Sequence, residues 1–287
     1  MRRPTHSGSW YPSSPRVLGS EIRLALENVS DLTHHKLKYI IAPHAGYAYS
    51  LKTAAYSYAQ IDATQVKRIF ILGPSHYLYL LGCGIDKFAK LDTPLGHLDV
   101  DTEIIDQLSK VEGFSTIKND CSEEEHSIEM HLPLVKYITN ENKDIKVVPI
   151  IVGDFNNKLK DHIANTLLPY FNDESNLFII SSDFCHFGSR FQFTKTGYEK
   201  ENRPLHESIE MLDRKSIEYI TSHDLIGFEN YIDETGNTIC GRNPIQILLK
   251  VSIQLPFMNF KDDISIKPTN SFNTPFLYTV VTNYKIE

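Results

Sequence analysis

Cysteine is scarce in this chain, and its four cysteines form no CxxC pair. Cys83, Cys121, Cys185 and Cys240 lie far apart, and a chain of 287 residues can bury a core without disulfide bonds. The first residues, Met1-Arg2-Arg3-Pro4-Thr5-His6, are basic but lack the apolar run of a signal peptide. We therefore expect reduced thiols and a cytoplasmic location, with the nucleus as a second compartment.

Long apolar runs and basic blocks are missing as well. No stretch approaches the ~20 apolar residues that a membrane-spanning helix needs, so we expect no membrane partner. The net charge is −7, from 29 basic and 36 acidic residues, and no cluster of Lys and Arg offsets it. This balance argues against nucleic acid as a partner. The hydrophobic content of 41% is ordinary for a globular protein and is sufficient for a core.

Short apolar runs alternate with amphipathic segments along the chain. Because the runs are rich in β-branched residues and bounded by Gly or Pro, they predict buried strands over 38–42, 68–72, 147–152, 177–182 and 276–281. Helical spacing predicts helices over 16–27, 51–58, 102–109, within 124–138, and over 157–170, 206–212, 224–231 and 245–255. The alternation predicts an α/β protein with one domain over residues 1–287, built on a mostly parallel or mixed central sheet with helices on both faces.

Three helix starts carry residues that commonly cap helices. Ser50 precedes the second predicted helix, and Asp101 precedes the third. Asn243 is followed by Pro244, a pair that is typical of an N-cap and a first-turn proline. We predict that all three side chains cap their helices.

A histidine or cysteine follows several of the predicted strands within a few residues. Pro43-His44-Ala45-Gly46 follows the first strand, and Gly73-Pro74-Ser75-His76 follows the second. Ser182-Asp183-Phe184-Cys185-His186 lies at the end of the 177–182 strand. In an open α/β sheet the ligand crevice lies outside the carboxyl ends of the strands. The sequence therefore predicts that these side chains meet at one site.

The segment Glu125-His126-Ser127-Ile128-Glu129-Met130-His131 is dense in ionisable side chains. Its two histidines are five residues apart, which excludes the H-E-x-x-H zinc motif. On a helix, His126 and Glu129 would share a face. The segment is then either a polar helix face over a Met/Leu core stripe, or a source of supporting or acid–base groups for the crevice. Pro133 ends the polar run abruptly and favours the second interpretation.

Cys240 directly precedes the helix start at Gly241-Arg242-Asn243-Pro244. A thiol near a helix N-terminus and an arginine is expected to have a lowered pKa, which suits metal ligation or redox chemistry. The alternative is a small buried hydrophobic residue, which is a common role of free cysteine. Two histidines and one cysteine form a three-ligand set for iron, copper or zinc and leave positions open for a substrate.

Two further residues have open interpretations. Trp10, the single tryptophan, is either a wall of the pocket or a packing anchor. The carboxylate of Asp183 could orient an imidazole through its Nδ1, as carboxylates beside metal ligands often do.

Together these segments resemble the Memo family, which is named for a mediator of receptor-tyrosine-kinase-driven cell motility. That family is similar in fold to the class III extradiol (LigB-type) non-haem iron dioxygenases, whose metal site normally uses two His and one Glu. Six stretches, in the family's order, carry the resemblance: His6-Ser7-Gly8-Ser9-Trp10-Tyr11, Ala42-Pro43-His44-Ala45-Gly46-Tyr47, Ile69-Phe70-Ile71-Leu72-Gly73-Pro74-Ser75-His76, Glu125-His126-Ser127-Ile128-Glu129-Met130-His131-Leu132-Pro133, Ser181-Ser182-Asp183-Phe184-Cys185-His186 and Asn237-Thr238-Ile239-Cys240-Gly241.

The resemblance implies binding of iron or copper, copper-dependent redox activity and binding of a phosphotyrosine peptide from an activated receptor. It implies a metal site whose ligands are His44, His76 and Cys240, and a pocket lined by Trp10, Asp183 and His186. One segment departs from the family, which has a Ser-rich stretch and then Ser-Val-Ser-Tyr-Ala near the C-terminus. This chain has a different sequence there, over Pro268–Val280.

Three functions are compatible with these residues. The first is a metal-dependent oxidoreductase that holds Fe(II) or copper, with His186, Asp183 or His126 moving protons; thiolate in place of carboxylate favours copper or zinc over ring-opening dioxygenase chemistry. The second is a signalling module whose pocket, with Trp10, Glu129 and Arg242, takes a phosphotyrosine peptide or a small-molecule substrate. The third is Cys-dependent hydrolysis. It ranks last because no protease or transferase signature surrounds a cysteine.

Overall fold

The computed structural model describes residues 1–30, 37–142, 144–199, 203–255, 258–265 and 278–286. Their strands are β1 Leu37–Ala42, β2 Arg68–Pro74, β3 Cys83–Ile85, β4 Lys90–Leu91, β5 Leu98–Val100, β6 Phe114–Thr116, β7 Lys146–Val152, β8 Asn176–Ser181, β9 Met258–Ser265 and β10 Thr279–Ile286. Their α-helices are α1 Pro15–Glu27, α2 Tyr47–Tyr58, α3 Thr102–Leu108, α4 Asn119–Glu124, α5 His126–Glu129, α6 Leu132–Ile138, α7 Asn157–Asn172, α8 Leu205–Thr221, α9 Leu225–Thr235 and α10 Arg242–Ser252.

The described strands form one sheet in the order β4-β5-β7-β2-β8-β1-β10-β9, with β3 paired to β7 and β6 paired to β3. The strands β5, β7, β2, β8 and β1 run parallel to one another. At the two ends of this series, β4 pairs antiparallel with β5, and β10 pairs antiparallel with β1 and β9. The predicted α/β class with a mostly parallel or mixed central sheet is therefore confirmed.

Apolar residues on both faces of the central strands explain why helices cover the sheet. Ile40, Ile69 and Ile179 are fully buried within β1, β2 and β8, as expected for strands of a parallel sheet. One group of helices comprises α1, α2 and α6, of which α2 packs on β1. A second group contains α7, α9 and α10, of which α7 and α10 pack on β8. Among the described residues, no helix is long and apolar enough to cross a membrane.

Most predicted elements are present with shifted ends. The last predicted strand, Phe276–Val281, begins outside the described residues, and the described strand starts at Thr279. The divergent segment Pro268–Val280 also lies largely outside them. The 124–138 region contains parts of three short helices, because Glu125 adopts an extended backbone with φ −81° and ψ 104° between α4 and α5.

One of the three predicted helix caps is correct. The Asp101 carboxylate accepts the Ile104 main-chain N–H at 3.3 Å. Ser50 instead lies inside α2, which begins four residues earlier than predicted, and its hydroxyl donates to the Ala45 carbonyl at 2.7 Å. Asn243 lies in the first turn of α10, whose N-cap is Gly241. Its side-chain amide forms a hydrogen bond outside α10 and does not cap the helix. A polar residue near the helix start was therefore not enough to identify the N-cap.

Candidate metal centre

The centre lies where three adjacent parallel strands end. In the sheet β8 lies between β2 and β1, and the register pairs Ala42 with Ser181 and Leu72 with Ile180. The strands therefore stop at nearly the same level, and the loops that follow them meet. These loops bring the ligand atoms of His44 and His76 together with the thiol of Cys240, all within 4.8 Å of one another.

His44 is held at its main chain and at its ring. Its main-chain N–H donates to Asp183 Oδ1 at 2.9 Å, and its Nδ1 lies 2.6 Å from Ser181 Oγ. Its Nε2 faces the Cys240 sulfur at 3.2 Å. Burial, followed by the charges of neighbouring histidines, holds the pKa of His44 well below its usual range. The ring is therefore neutral, which is the form that ligates metals.

His76 is oriented by Glu125. Its Nδ1 lies 3.0 Å from Glu125 Oε1, and its main-chain N–H donates to Oε2 at 2.6 Å. Burial disfavours the Glu125 carboxylate, but the hydrogen bonds and charge of His76 outweigh that effect and lower its pKa to about 2. Because the anionic carboxylate takes the proton at Nδ1, the Nε2 lone pair of His76 is left for a metal. This carboxylate–histidine pairing is usual behind metal-binding imidazoles.

The Cys240 sulfur accepts the Asp183 main-chain N–H at 3.2 Å. The expectation of a lowered thiol pKa is wrong: burial, with the negative charge of Asp183, raises the pKa of Cys240 well above its usual range. Arg242 is exposed, so water screens its charge and it does not offset that burial. A bound cation would supply the missing positive charge, because coordination deprotonates a thiol.

The donor set fits a soft or borderline transition metal. Two imidazole nitrogens and one sulfur suit copper, zinc or iron, and none of the three is a hard oxygen ligand. Three protein ligands also leave positions open, as catalytic centres do. In the part of the chain that the structure describes, one other group of three side chains could hold a metal ion. It is formed by His76, Glu125 and His126.

His126 and Trp10 form an aromatic wall beside the ligand set. The ring of His126 stacks on His76 with centroids 4.4 Å apart and planes at 23°. Trp10 lies against His126 with centroids 4.7 Å apart. Burial, with the charge of His76, lowers the pKa of His126 to about 4. Of the two interpretations of Trp10, as a pocket wall or a packing anchor, the structure shows packing on the rings of His6 and His126.

Glu129 lies behind this wall rather than in the crevice. Its side chain is fully buried and pairs with Arg2 at 3.0 Å. The same carboxylate accepts the Tyr11 hydroxyl at 2.8 Å and the His6 main-chain N–H at 2.8 Å. Burial disfavours its ionised form, but these hydrogen bonds and the charge of Arg2 lower its pKa to about 2. Glu129 therefore anchors the N-terminal segment that carries Trp10.

Asp183 and His186 lie in the irregular segment that follows β8. The strand ends at Ser181, so Asp183 and Cys185 do not alternate as strand residues would. The Asp183 carboxylate binds the main chain of His44 rather than an imidazole Nδ1, and burial raises its pKa. The His186 ring is oriented by the Thr238 carbonyl, 2.9 Å from Nδ1.

Arg242 lines a hollow of about 320 Å³ next to the ligand set. His76, Cys240 and the exposed tyrosines Tyr77 and Tyr79 contribute to the same hollow. A ligand in this space would contact both the metal ligands and the guanidinium group.

Sequence reasoning missed the residues behind His44. Ser181 was assigned to the strand end, and His131 was not placed in any site. In the structure His131 is fully buried, with Nε2 2.8 Å from Ser181 Oγ and Nδ1 2.8 Å from the Tyr58 hydroxyl. A hydroxyl at the end of the apolar run 177–180 was a usable signal for Ser181. Tyr58 gave no signal, because a tyrosine on an apolar helix face is ordinary core.

Comparison with known proteins decides the family. The sequence profile described as Memo-like protein matches residues 2–276. This chain belongs to the Memo family. Protein MEMO1 of Xenopus laevis and of Homo sapiens are each 38% identical to it over 255 residues, which cover 88% of this chain and 85% of each relative. The memo-1 homolog of Caenorhabditis elegans is 38% identical over 252 residues, covering 88% of this chain and 71% of that protein.

A solved structure supports the fold of this Memo-family chain. An uncharacterized protein from Escherichia coli K12 superposes with a TM-score of 0.50 at 15% identity, covering 85% of this chain and 98% of that one. The predicted family membership is thus confirmed by sequence, and the fold class by structure.

Proposed function

We propose that this Memo-family protein holds a redox-active transition metal, copper or Fe(II), at His44, His76 and Cys240, and acts as a metal-dependent oxidoreductase. One observation carries the proposal: the three ligand atoms lie within 4.8 Å of one another at the carboxyl ends of adjacent strands. The thiolate makes the set softer than the two-His-one-carboxylate triad of non-haem iron oxygenases and favours copper.

The surrounding side chains supply the rest of such a site. The metal, when bound, would supply Lewis acidity and one-electron chemistry. His186 has a ring nitrogen free for proton transfer, since its other nitrogen faces the Thr238 carbonyl. His126 stays neutral near pH 7, because its pKa is about 4, and a pKa this low makes it a weaker base than an ordinary histidine. Trp10 covers His126 and narrows access for water.

The test is elemental analysis of protein purified without oxygen and reconstituted with Cu(I) or Fe(II). We expect about one metal per chain, lost in both His44→Ala and Cys240→Ser. His162→Ala and Cys121→Ser are matched controls, because neither residue belongs to the ligand set. Metal retained in both ligand variants, or absent from the native protein with its fold intact, would contradict the proposal. An oxygen-consumption screen of the loaded protein then tests for oxidoreductase activity.

As a second function we propose an adaptor that binds a phosphotyrosine peptide in growth or motility signalling. The hollow beside Cys240 favours it, because the exposed Arg242 and the ring of His76 lie around a space large enough for a phosphorylated side chain. Calorimetry with a phosphotyrosine peptide and its unphosphorylated twin tests it. We expect heat from the phosphopeptide alone, reduced in Arg242→Ala. Equal heats from both peptides would reject the adaptor.

We also propose that the protein works in the cytoplasm and the nucleus, where a free thiol such as Cys240 stays reduced. A fluorescent fusion imaged in living cells tests this location. Signal confined to a secretory compartment would reject it.

A further inference from the structure

A chain of buried side chains leads away from the candidate metal centre. The Tyr58 hydroxyl lies 2.8 Å from His131 Nδ1. The other nitrogen of His131 lies 2.8 Å from Ser181 Oγ, which in turn lies 2.6 Å from His44 Nδ1. All four residues are at most 2% exposed. Neither proposed function assigns a role to Tyr58, His131 or Ser181.

The main-chain carbonyl of Ser127 fixes the direction of these hydrogen bonds. It lies 2.7 Å from Ser181 Oγ and, as a carbonyl, can only accept. The single hydroxyl proton of Ser181 must therefore point to Ser127. The two remaining lone pairs of Ser181 Oγ face two imidazole nitrogens, so both nitrogens must carry protons. His44 is consequently protonated at Nδ1 and His131 at Nε2.

The remaining hydrogen bonds in this row of buried side chains are consistent with these proton positions. With its proton at Nε2, neutral His131 has a lone pair at Nδ1 that can accept the Tyr58 hydroxyl. Burial lowers the pKa of His131 to about 3 and raises the pKa of Tyr58 well above its usual range. The imidazole is therefore neutral and the phenol protonated near pH 7. Each N–H and O–H donor of these four side chains thus has an acceptor, as a buried polar network requires.

We propose that Ser181 is the positioning residue that fixes His44 as its Nδ1–H tautomer, and that Tyr58 and His131 hold Ser181 in that role. The Nε2 lone pair of His44 then faces Cys240 and His76 before any metal arrives. The other tautomer would direct an N–H at the same space and would have to shift its proton first. This inference rests on the proposed metal site for its purpose. The tautomer itself is a property of the metal-free chain.

The assignment also excludes a proton relay along the chain. Ser181 accepts from both imidazoles and donates to a carbonyl, so it offers no proton to His44. The network orients the His44 ring and does not supply it with protons.

The test reads tautomers directly, by nitrogen-15 NMR of the imidazoles in metal-free, labelled protein. The signals of His44 and His131 are assigned by their loss in His44→Gln and His131→Gln. We expect Nδ1–H at His44 and Nε2–H at His131. Ser181→Ala should mix the two tautomers of His44 and weaken Cu(I) binding about 10- to 100-fold, the usual effect of removing a partner behind a metal ligand.

Ser57→Ala is the matched control. Ser57 is also fully buried, and its hydroxyl donates to a main-chain carbonyl, that of Ala54, rather than bonding a histidine. Thermal unfolding and near-UV circular dichroism confirm that each variant is folded. We expect the control to leave the tautomers and Cu(I) affinity unchanged, whereas loss of stability alone would affect both serine variants alike.

Two results would overturn the proposal: a proton on Nε2 of His44 in the native protein, or a folded Ser181→Ala variant with an unchanged tautomer and affinity. If that variant does not fold, Ser181→Cys decides: a thiol accepts hydrogen bonds only weakly, so the two tautomers of His44 should mix, and an unchanged tautomer would overturn the proposal. The native protein could show the expected tautomers and yet bind no metal. That result would reject the proposed function and leave the tautomer assignment intact.

Discussion

One carboxylate, that of Glu125, holds His76 at two points. It accepts the ring proton at Nδ1 at 3.0 Å and the main-chain N–H at 2.6 Å. Ring orientation and loop position thus depend on the same side chain, which itself caps α5 by accepting the Ser127 N–H at 3.0 Å. The loop after β2 cannot move without breaking these bonds.

Replacing that carboxylate should weaken the metal centre without removing a ligand. We expect Glu125→Gln to raise the dissociation constant for Cu(I) about 10- to 100-fold, because an amide cannot accept all these N–H groups or favour the Nδ1–H tautomer as an anion does. Competition with a chromogenic chelator measures this dissociation constant. Glu124→Gln, at the exposed neighbouring position, is the control. Native affinity in a folded Glu125→Gln protein would show that His76 needs no such partner.

The anchor at Glu129 should be visible through Trp10, the only tryptophan. In Glu129→Gln the buried pair with Arg2 loses its charge partner, and the Tyr11 and His6 donors lose an anionic acceptor. We expect Trp10 emission to shift to longer wavelength and acrylamide to quench it faster. Glu21→Gln, on the exposed face of α1, is the control. An unchanged emission spectrum would mean that the N-terminal segment is held elsewhere.

Acid should reduce the stabilisation that Glu129 provides. Its pKa is about 2 in the folded chain and about 4.3 when unfolded, so the unfolded state takes up the proton first as pH falls. The contribution is complete above about pH 5 and is lost progressively toward pH 2. Between pH 5 and 3.5 the difference in free energy of unfolding between native and Glu129→Gln protein should shrink by about 1 kcal/mol. Urea titrations at the two pH values measure this, and a constant difference would contradict the low pKa.

Gly241 permits the close approach that places Cys240. A Cβ there would lie 2.3 Å from Ser182 Cβ and 2.5 Å from the Ser181 carbonyl oxygen. We expect Gly241→Ala to lower the free energy of unfolding by about 1–3 kcal/mol and to weaken Cu(I) binding, because the thiol must move. Gly19→Ala is the control, since its Cβ would meet Leu95 at an ordinary 3.6 Å. Equal behaviour of the two variants would show that the contact is easily relieved.

The sequence predicted the layout of this protein better than its local details. The positions of β1, β2 and β8 follow from apolar runs bounded by Gly and Pro, and their parallel order places His44 and His76 at one edge. The pKa of Cys240 was mispredicted, because burial cannot be read from a neighbouring Arg242 in the sequence. The two failed caps have different reasons. The helix α2 begins before Ser50, whose hydroxyl donates to the nearby Ala45 carbonyl, whereas the Asn243 amide donates to the Gly153 carbonyl, 90 residues away in the sequence.

Segments that are far apart in sequence complete the centre, with His44 and Cys240 separated by 196 positions. A chain emerging from the ribosome therefore presents both imidazoles long before the thiol and α10 exist. Contacts of such separation close late in folding, because loop-closure entropy must be overcome first. The three candidate ligands therefore come together only when folding is complete, and a chain that ends before Cys240 contains only the two histidines of the set.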